Sequence, residues 1–461
     1  MTAQETQTTR LMRLECGYRA YIGFTWFYRH SDTLMAADAA AQCLQQGVDR
    51  VVGANPILGG LLAETPNSNQ VEVRYTLPPC AAARCEITPQ AVPYTYRQLE
   101  EAAFDQNKFP EIFGAISSTR PSIQGLRVFD VRLLVLECGS LAVTLQVYHT
   151  VADAKAVVCI AGGIAKACRS DGPVLEMWHD RAPLRALLLP ATEGQHAEGL
   201  GAGVSVSRSP LEEHLHQIGQ DIPGSKRPDR LEGVAQAQCR RCQIALSADS
   251  LAALKSTSSS SDVPLSTNDL VMALLWRAWT RTLIRLGSQA HTYSYFGGPV
   301  DMRAKAQASI SDRNMDLYLG NLILPLPIYD SKDAVTQGTL VQVAEHIHQH
   351  MHAASLSALQ QLSQAAELGL PDIVQTLAEG DSPAMGFSNM TRFDVYAVDF
   401  GLDASRARCS NVQMRSFDAL LMVFAVADGC GGVLANTSLP PAVADVLVGD
   451  DELRKYAYFT Y

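Results

Sequence analysis

Leu141 to Tyr148 alternates and is rich enough in β-branched residues to predict a strand, and after a short break Ala154 to Cys168 is an apolar stretch of helix length that Asp153 can cap. Val71 to Leu77 and Gly125 to Leu136 also read as strands. The second of these meets the turn Cys138-Gly139-Ser140, so the pattern is a hairpin that feeds a helix. Further along, a strand is expected from Cys239 to Leu246, a helix from Ala248 to about Lys255, and a serine-rich loop from Ser256 to Ser261. Ser266-Thr267-Asn268-Asp269 has the spacing of a capping box with Asp in place of Glu, and it opens the strongly apolar helix Leu270 to Leu286, which carries Trp276 and Trp279. Strands are then expected at Thr292 to Gly297, Gly320 to Leu326, Val395 to Phe400, Ala419 to Val426 and Gly432 to Ser438. Helices are expected from Ala334 to about Ser357, over part of Pro371 to Glu379, and from Pro441 to Leu447. No short repeat is visible.

A segment rich in Gly, Ser, Pro and charge from about Thr192 to Arg230 separates two halves and reads as a linker or crossover. A chain of 461 residues exceeds what one core usually supports, so the expected division is residues 1–191, the linker 192–230, and residues 231–461. Strands mixed with helices in both halves predict an α/β fold, each half a sheet covered by helices, with a cleft between them as the default site.

Composition narrows the partners. A formal charge of −10 with no long Lys/Arg run argues against a nucleic-acid surface, and leaves a small molecule or a protein. Met1 to Arg10 is polar and lacks the apolar core of a signal peptide, and no stretch reaches the ~18 apolar residues of a membrane span; the expectation is a cytoplasmic, monomeric protein. Eleven scattered cysteines suggest buried thiols and no disulfide framework.

The candidate chemistry centres on His149 and Asp153, four apart where strand gives way to helix. A histidine at a strand end can face a cleft, and histidine alone has an unperturbed pKa near neutrality, as a general base requires. The bland reading of the pair is a histidine beside a helix cap. Other constellations are weaker. His346, His348, His350 and His352 form pairs four apart on two faces of a helix, without a third metal ligand nearby except Glu345. Cys239 and Cys242 point to opposite faces of a strand and lack a second pair. Gly199-Leu200-Gly201-Ala202-Gly203 lacks the strand and the lysine of a phosphate loop. Asp399-Phe400-Gly401 stands without the other kinase motifs. No metal is expected.

Several separate segments resemble one family, the CoA-dependent acyltransferases of the BAHD type, and in particular its fungal trichothecene acetyltransferase-like branch. They are His149-Thr150-Val151-Ala152-Asp153 (His-x-x-x-Asp), His179-Asp180-Arg181-Ala182-Pro183-Leu184, Ser266-Thr267-Asn268-Asp269 followed by Leu275-Trp276-Arg277, Val300-Asp301-Met302-Arg303, Tyr318-Leu319-Gly320-Asn321, and Asp399-Phe400-Gly401-Leu402-Asp403. Each is weak alone, but their shared order is specific. The chain departs from the family pattern at Ala154, where a glycine commonly follows the acid, and at Leu402 and Asp403, where the family has tryptophan and glycine.

The resemblance implies two chloramphenicol-acetyltransferase-like domains, each a mixed sheet covered by helices, with the active site in the channel between them. It implies transfer of an acyl group, perhaps acetyl, from acyl-CoA to a hydroxyl or amine of a small natural product in secondary metabolism. In this reading His149 is the base, while Asp153 turns away from it and pairs with Arg303. Ser388 and Asn389 fall where relatives place polar residues near the cofactor, and Asn321 is a polar residue of the site. Two alternatives remain open: a condensation-domain-like cyclase that acts on a bound metabolite without CoA, and a binding or scaffold protein with an inert histidine.

Overall fold

The computed structural model describes residues 5–65, 70–77, 85–102, 104, 108–113, 122–170, 172–189, 240–287, 293–367, 384–393, 395–404, 407–412, 420–427 and 431–460. The expected linker, Gly199 to Gly203, Cys239 and the helix expected within Pro371 to Glu379 lie outside them. The architecture is mixed α/β, as the periodicities required.

One sheet has five strands, β2 (Tyr21–Tyr28), β5 (Pro89–Val92), β6 (Phe129–Leu136), β7 (Leu141–Tyr148) and β12 (Arg408–Val412), in the order β12-β2-β7-β6-β5. A second has seven, β8 (Arg240–Leu246), β9 (Tyr293–Asp301), β10 (Ile323–Ser331), β11 (Ala384–Asn389), β13 (Leu420–Ala427), β14 (Val433–Leu439) and β15 (Tyr458–Thr460), in the order β10-β9-β11-β13-β14-β8-β15. A small third sheet orders β1 (Glu5–Arg10), β4 (Val71–Leu77) and β3 (Leu61–Glu64) as β1-β4-β3. Helices α1 (Ala37–Ala54) and α2 (Ala154–Arg169) share the core of the five-stranded sheet, while α3 (Thr267–Arg285), α4 (Lys332–Gln337), α5 (Leu340–Ala353) and α7 (Pro441–Val448) share that of the seven-stranded one. Between those cores, Met12, Leu184, Met302, Tyr318, Leu322 and Leu359 form a cluster to which α6 (Leu356–Glu367) contributes.

The elements around His149 form where the pattern put them. β7 pairs with β6 through the turn at Gly139, whose φ of 78° suits glycine, and Asp153 caps α2. Ser266 and Asp269 close a capping box on α3. The strand β2 was not legible. Its run Tyr21–Tyr28 is aromatic-rich on both faces and shows no alternation of polar and apolar residues, and α1 is a further element the pattern did not predict.

Other expectations need correction. The strand expected from Gly125 begins only at Phe129, because Gly125 turns at φ 77°. Gly320 to Leu322 precede β10 instead of belonging to it. The helix expected from Ala334 to Ser357 is broken twice, where Gly338 ends α4 and Thr339 caps α5 by a box with Gln342, and again after Ala353, so that Ser357 belongs to α6. The serine-rich loop contains a single 3₁₀ turn, Thr257–Ser260.

Val395 to Phe400 is a loop, not a strand. Its apolar residues pack into the core of the five-stranded sheet, the Val395 carbonyl accepts the Trp26 indole N–H at 2.8 Å, and Asp399 folds back to accept the Gly401 N–H at 2.8 Å. Anchoring, not pairing, explains its hydrophobicity.

β2 and β7 run unusually close at Gly23, where any Cβ would collide with the Leu145 carbonyl oxygen. Gly23→Ala is therefore expected to cost about 1–3 kcal/mol, the usual range for overpacking. The check is a thermal melt, and an unchanged midpoint would contradict the close approach.

Candidate active site

His149 leaves the end of β7 with its backbone N–H donated to Ala20 O at 2.7 Å, which fixes the chain beside the start of β2. Its Nδ1 lies 3.1 Å from Ala152 O and 3.1 Å from Asn321 Oδ1. The Asn321 amide is oriented by its other end, since Nδ2 donates to the His149 carbonyl at 2.5 Å. Both partners of Nδ1 are acceptors, so Nδ1 carries the proton of the neutral ring and Nε2 keeps a lone pair. Burial pushes the His149 pKa below the usual imidazole value of 6.5, against the opposing pull of the Asp153 charge and of hydrogen bonds to Asn321 and Ala152. At neutral pH the ring is uncharged and can accept a proton.

Asp153 faces elsewhere. Its Oδ1 accepts the Ala156 N–H at 3.1 Å as the cap of α2 and an Arg303 N–H at 2.9 Å. Its Oδ2 accepts the other arm of Arg303 at 2.8 Å and the Leu322 N–H at 3.2 Å. Arg303 also donates to Asp301, Tyr318 O and Gly320 O. Only 1% of Arg303 and 3% of Asp153 is exposed, so this is a desolvated, bidentate pair joining the start of α2 to the segment after β9. Burial lowers the Arg303 pKa, but the neighbouring Asp153 and Asp301 carboxylates outweigh it and raise the value above the ordinary one.

A second buried pair lies behind it. Glu15, in the 3₁₀ turn Arg13–Gly17, accepts from Arg181 at 3.0 and 3.3 Å and from the Asn321 backbone N–H at 3.1 Å. The Arg181 and Arg303 guanidiniums sit 5.3 and 5.9 Å from the Tyr318 ring centroid. Gly320 passes so close to that ring that a Cβ would strike it.

Of the residues singled out in the sequence, His149, Asp153, Arg303 and Asn321 come together. Ser388 and Asn389 lie at the end of β11, where Asn389 donates to Asn268 Oδ1 at 2.5 Å and accepts from Thr391. Leu402 is buried, and Asp403 accepts from the Ser31 and Thr33 hydroxyls at 3.0 and 2.5 Å, so this motif stitches two loops together. His346 and His350 meet backbone carbonyls and His348 contacts Asp269 Oδ2 at 2.9 Å. Among the described residues, no group of three or more His, Cys, Asp or Glu could hold a metal, and no helix is long and apolar enough to cross a membrane.

Sequence reasoning missed Glu15 and Tyr18. Tyr18 stacks on the His149 ring with centroids 4.7 Å apart and planes at 24°. Neither residue belongs to a spaced motif that a sequence reading could pick out.

A family model described as "Transferase family" matches residues 18–453. In fold, the chain is similar to TRI101 of F. sporotrichioides, solved with coenzyme A and T-2, at 17% identity and TM-score 0.72, covering 98% of this chain and 99% of that one. It is similar to vinorine synthase at 14% identity and TM-score 0.66, with 98% of each chain covered. A condensation domain of the CDA synthetase matches at 12% identity and TM-score 0.57, covering 98% of this chain and 97% of that one. No curated protein matches the chain by sequence.

The Asp153–Arg303 pair makes a stability prediction. Asp153→Asn leaves a buried guanidinium facing a neutral amide, and breaking a pair of this kind costs about 3–5 kcal/mol. The variant should melt well below the parent in a thermal scan, and equal melting would show that the pair holds nothing together.

Proposed function

The chain belongs to the Transferase family, and on that premise we propose that it moves an acyl group from CoA to a hydroxyl or amine of a small natural product, with His149 as general base. One observation carries the assignment: a neutral imidazole, tethered through Nδ1 and keeping its lone pair on Nε2, stands where a strand ends. Solved relatives by fold that hold coenzyme A, among them TRI101 of F. sporotrichioides and of F. graminearum, support CoA as the acyl carrier.

A neutral hydroxyl is a poor nucleophile at pH 7, so its proton must leave as the oxygen attacks the thioester carbonyl. His149 Nε2 takes that proton. The C–S bond then breaks, and the same nitrogen returns the proton to the departing thiolate, so no covalent enzyme intermediate is needed. Asp153 and Arg303 hold the loop that carries the base. Asn321 is a positioning residue, because its carbonyl oxygen holds the proton of the ring on Nδ1.

Residues 1–191 and 231–461 are read as the two acyltransferase-like domains joined through 192–230, with residues 395–400 and Arg408–Val412 of the second half returning to the core and sheet of the first. Ser388 and Asn389 are read as contacts for CoA. The place of Asn389 beside Asn268, at the start of α3, supports polar binding there. The enzyme is read as a monomer, and as cytoplasmic because acyl-CoA is a cytoplasmic donor.

Acyl transfer detected by mass spectrometry, with a panel of acyl-CoAs and candidate acceptors, tests the reading. His149→Ala should lower turnover by about 10²–10⁴-fold with the fold intact. Near-parental turnover in that variant would remove the mechanism. Because the base must be neutral and its pKa is depressed, the acid limb of kcat/KM should fall below the ordinary imidazole midpoint of 6.5. A limb above that value would contradict the assignment. Coenzyme A at a hundredfold excess over its Kd should stabilise the chain by about 2.7 kcal/mol, and the shift should survive in His149→Ala. Conversion of a metabolite with no acyl donor, together with no such shift, would instead indicate the cyclase.

A further inference from the structure

On the face of the His149 ring, as distinct from its Nδ1 edge, lies Tyr18, at 4.7 Å and 24°. We propose that Tyr18 is a positioning residue for the acyl-transfer reaction, holding the plane of the His149 ring and stabilising the positive charge that the ring acquires when it takes the acceptor's proton. The inference rests on His149 being the base.

Two observations support it. The first is that Tyr18 is held by a rigid turn. It directly follows the 3₁₀ turn Arg13–Gly17, which is closed by the Glu15 carboxylate accepting the Met12 N–H at 2.8 Å. The same carboxylate, 0% exposed, pairs with Arg181 and accepts the Asn321 N–H at 3.1 Å. Two residues after Tyr18, the Ala20 carbonyl accepts the His149 N–H at 2.7 Å. One buried acid thus fixes both the ring that covers the face of His149 and the amide that holds its edge.

The second is an electrostatic deficit. A histidine base is commonly helped by a carboxylate on its far nitrogen, which offsets the imidazolium charge. Here, among the described residues, that nitrogen meets only the neutral oxygens of Ala152 and Asn321, because both oxygens of Asp153 are engaged by Arg303 and the cap of α2. Burial disfavours the charged ring, and the hydrogen bonds to Asn321 and Ala152, with the charge of Asp153, offset that only in part. An aromatic face presents the negative part of its quadrupole to a cation within about 6 Å, which places Tyr18 to do so.

The test compares Tyr18→Leu, Tyr18→Phe and Tyr18→pentafluorophenylalanine in the full chain, with His149→Ala alongside. Loss of the face should lower kcat of Tyr18→Leu by about 3- to 30-fold, the range for a cation over an aromatic ring, with KM for acyl-CoA changed by less than about twofold. The acid limb of kcat/KM should move to lower pH in the same variant, because its imidazolium has lost a stabilising neighbour. Tyr18→Phe should restore both. The fluorinated ring keeps the shape and reverses the quadrupole, so it should behave like leucine, and this comparison stands even if Tyr18→Leu folds poorly. Parental kcat and an unmoved limb in the leucine and fluorinated variants would overturn the inference, as would a lower melting temperature as their only change. If those variants are parental while His149→Ala is inactive, Tyr18 fails and the base stands. An active His149→Ala overturns the base, and Tyr18 with it.

Discussion

The structure around the candidate site depends on keeping two charges, Asp153 and Arg303, paired out of water. Isolated, either would be prohibitively costly to bury; paired through both arms of the guanidinium, they become a fixed joint. Once Asp153 is committed to that joint and to capping α2, it is lost to the imidazole four residues before it. The acid sets where the loop goes, and the base must be oriented by neutral groups.

The joint is one half of a larger cluster. Glu15 and Arg181 form a second buried pair, and both guanidiniums approach the ring of Tyr318, so four formal charges cancel within a small volume. The dense ring of Tyr318 in turn demands Gly320, and the bare backbone there frees a carbonyl for Arg303. Segments distant in sequence, 12–18, 149–156, 178–181 and 301–322, are brought to one place by this cancellation rather than by hydrophobic contact alone.

What the sequence made visible follows from the kind of pattern each residue left. Alternating or capped elements declare themselves: β7, though fully buried, sets Thr144 and Gln146 between Val143, Leu145 and Val147, and α2 and the box at Ser266 and Asp269 carry caps. Fully buried β2 carries no alternation, and the apolar loop from Val395 to Phe400 imitates a strand because its side chains serve another sheet's core. His149, Asp153 and Arg303 were legible as ordered motifs. Glu15 and Tyr18 were not, since a single acid and a single tyrosine near the start of a chain have no spacing to read, and their meaning comes from contacts across 131 to 306 positions.

The edge strand Arg408–Val412 crosses from the far end of the chain to pair with Tyr21–Tyr28. During synthesis, the sheet that presents His149 must therefore wait, with one long side of β2 unpaired, until nearly nine-tenths of the polypeptide has emerged. The halves are interlocked in time as well as in space. Folding is committed late, through contacts of very long sequence separation, and that makes the process slow and gives the nascent chain a prolonged interval with an open apolar edge, the condition under which chaperones matter most.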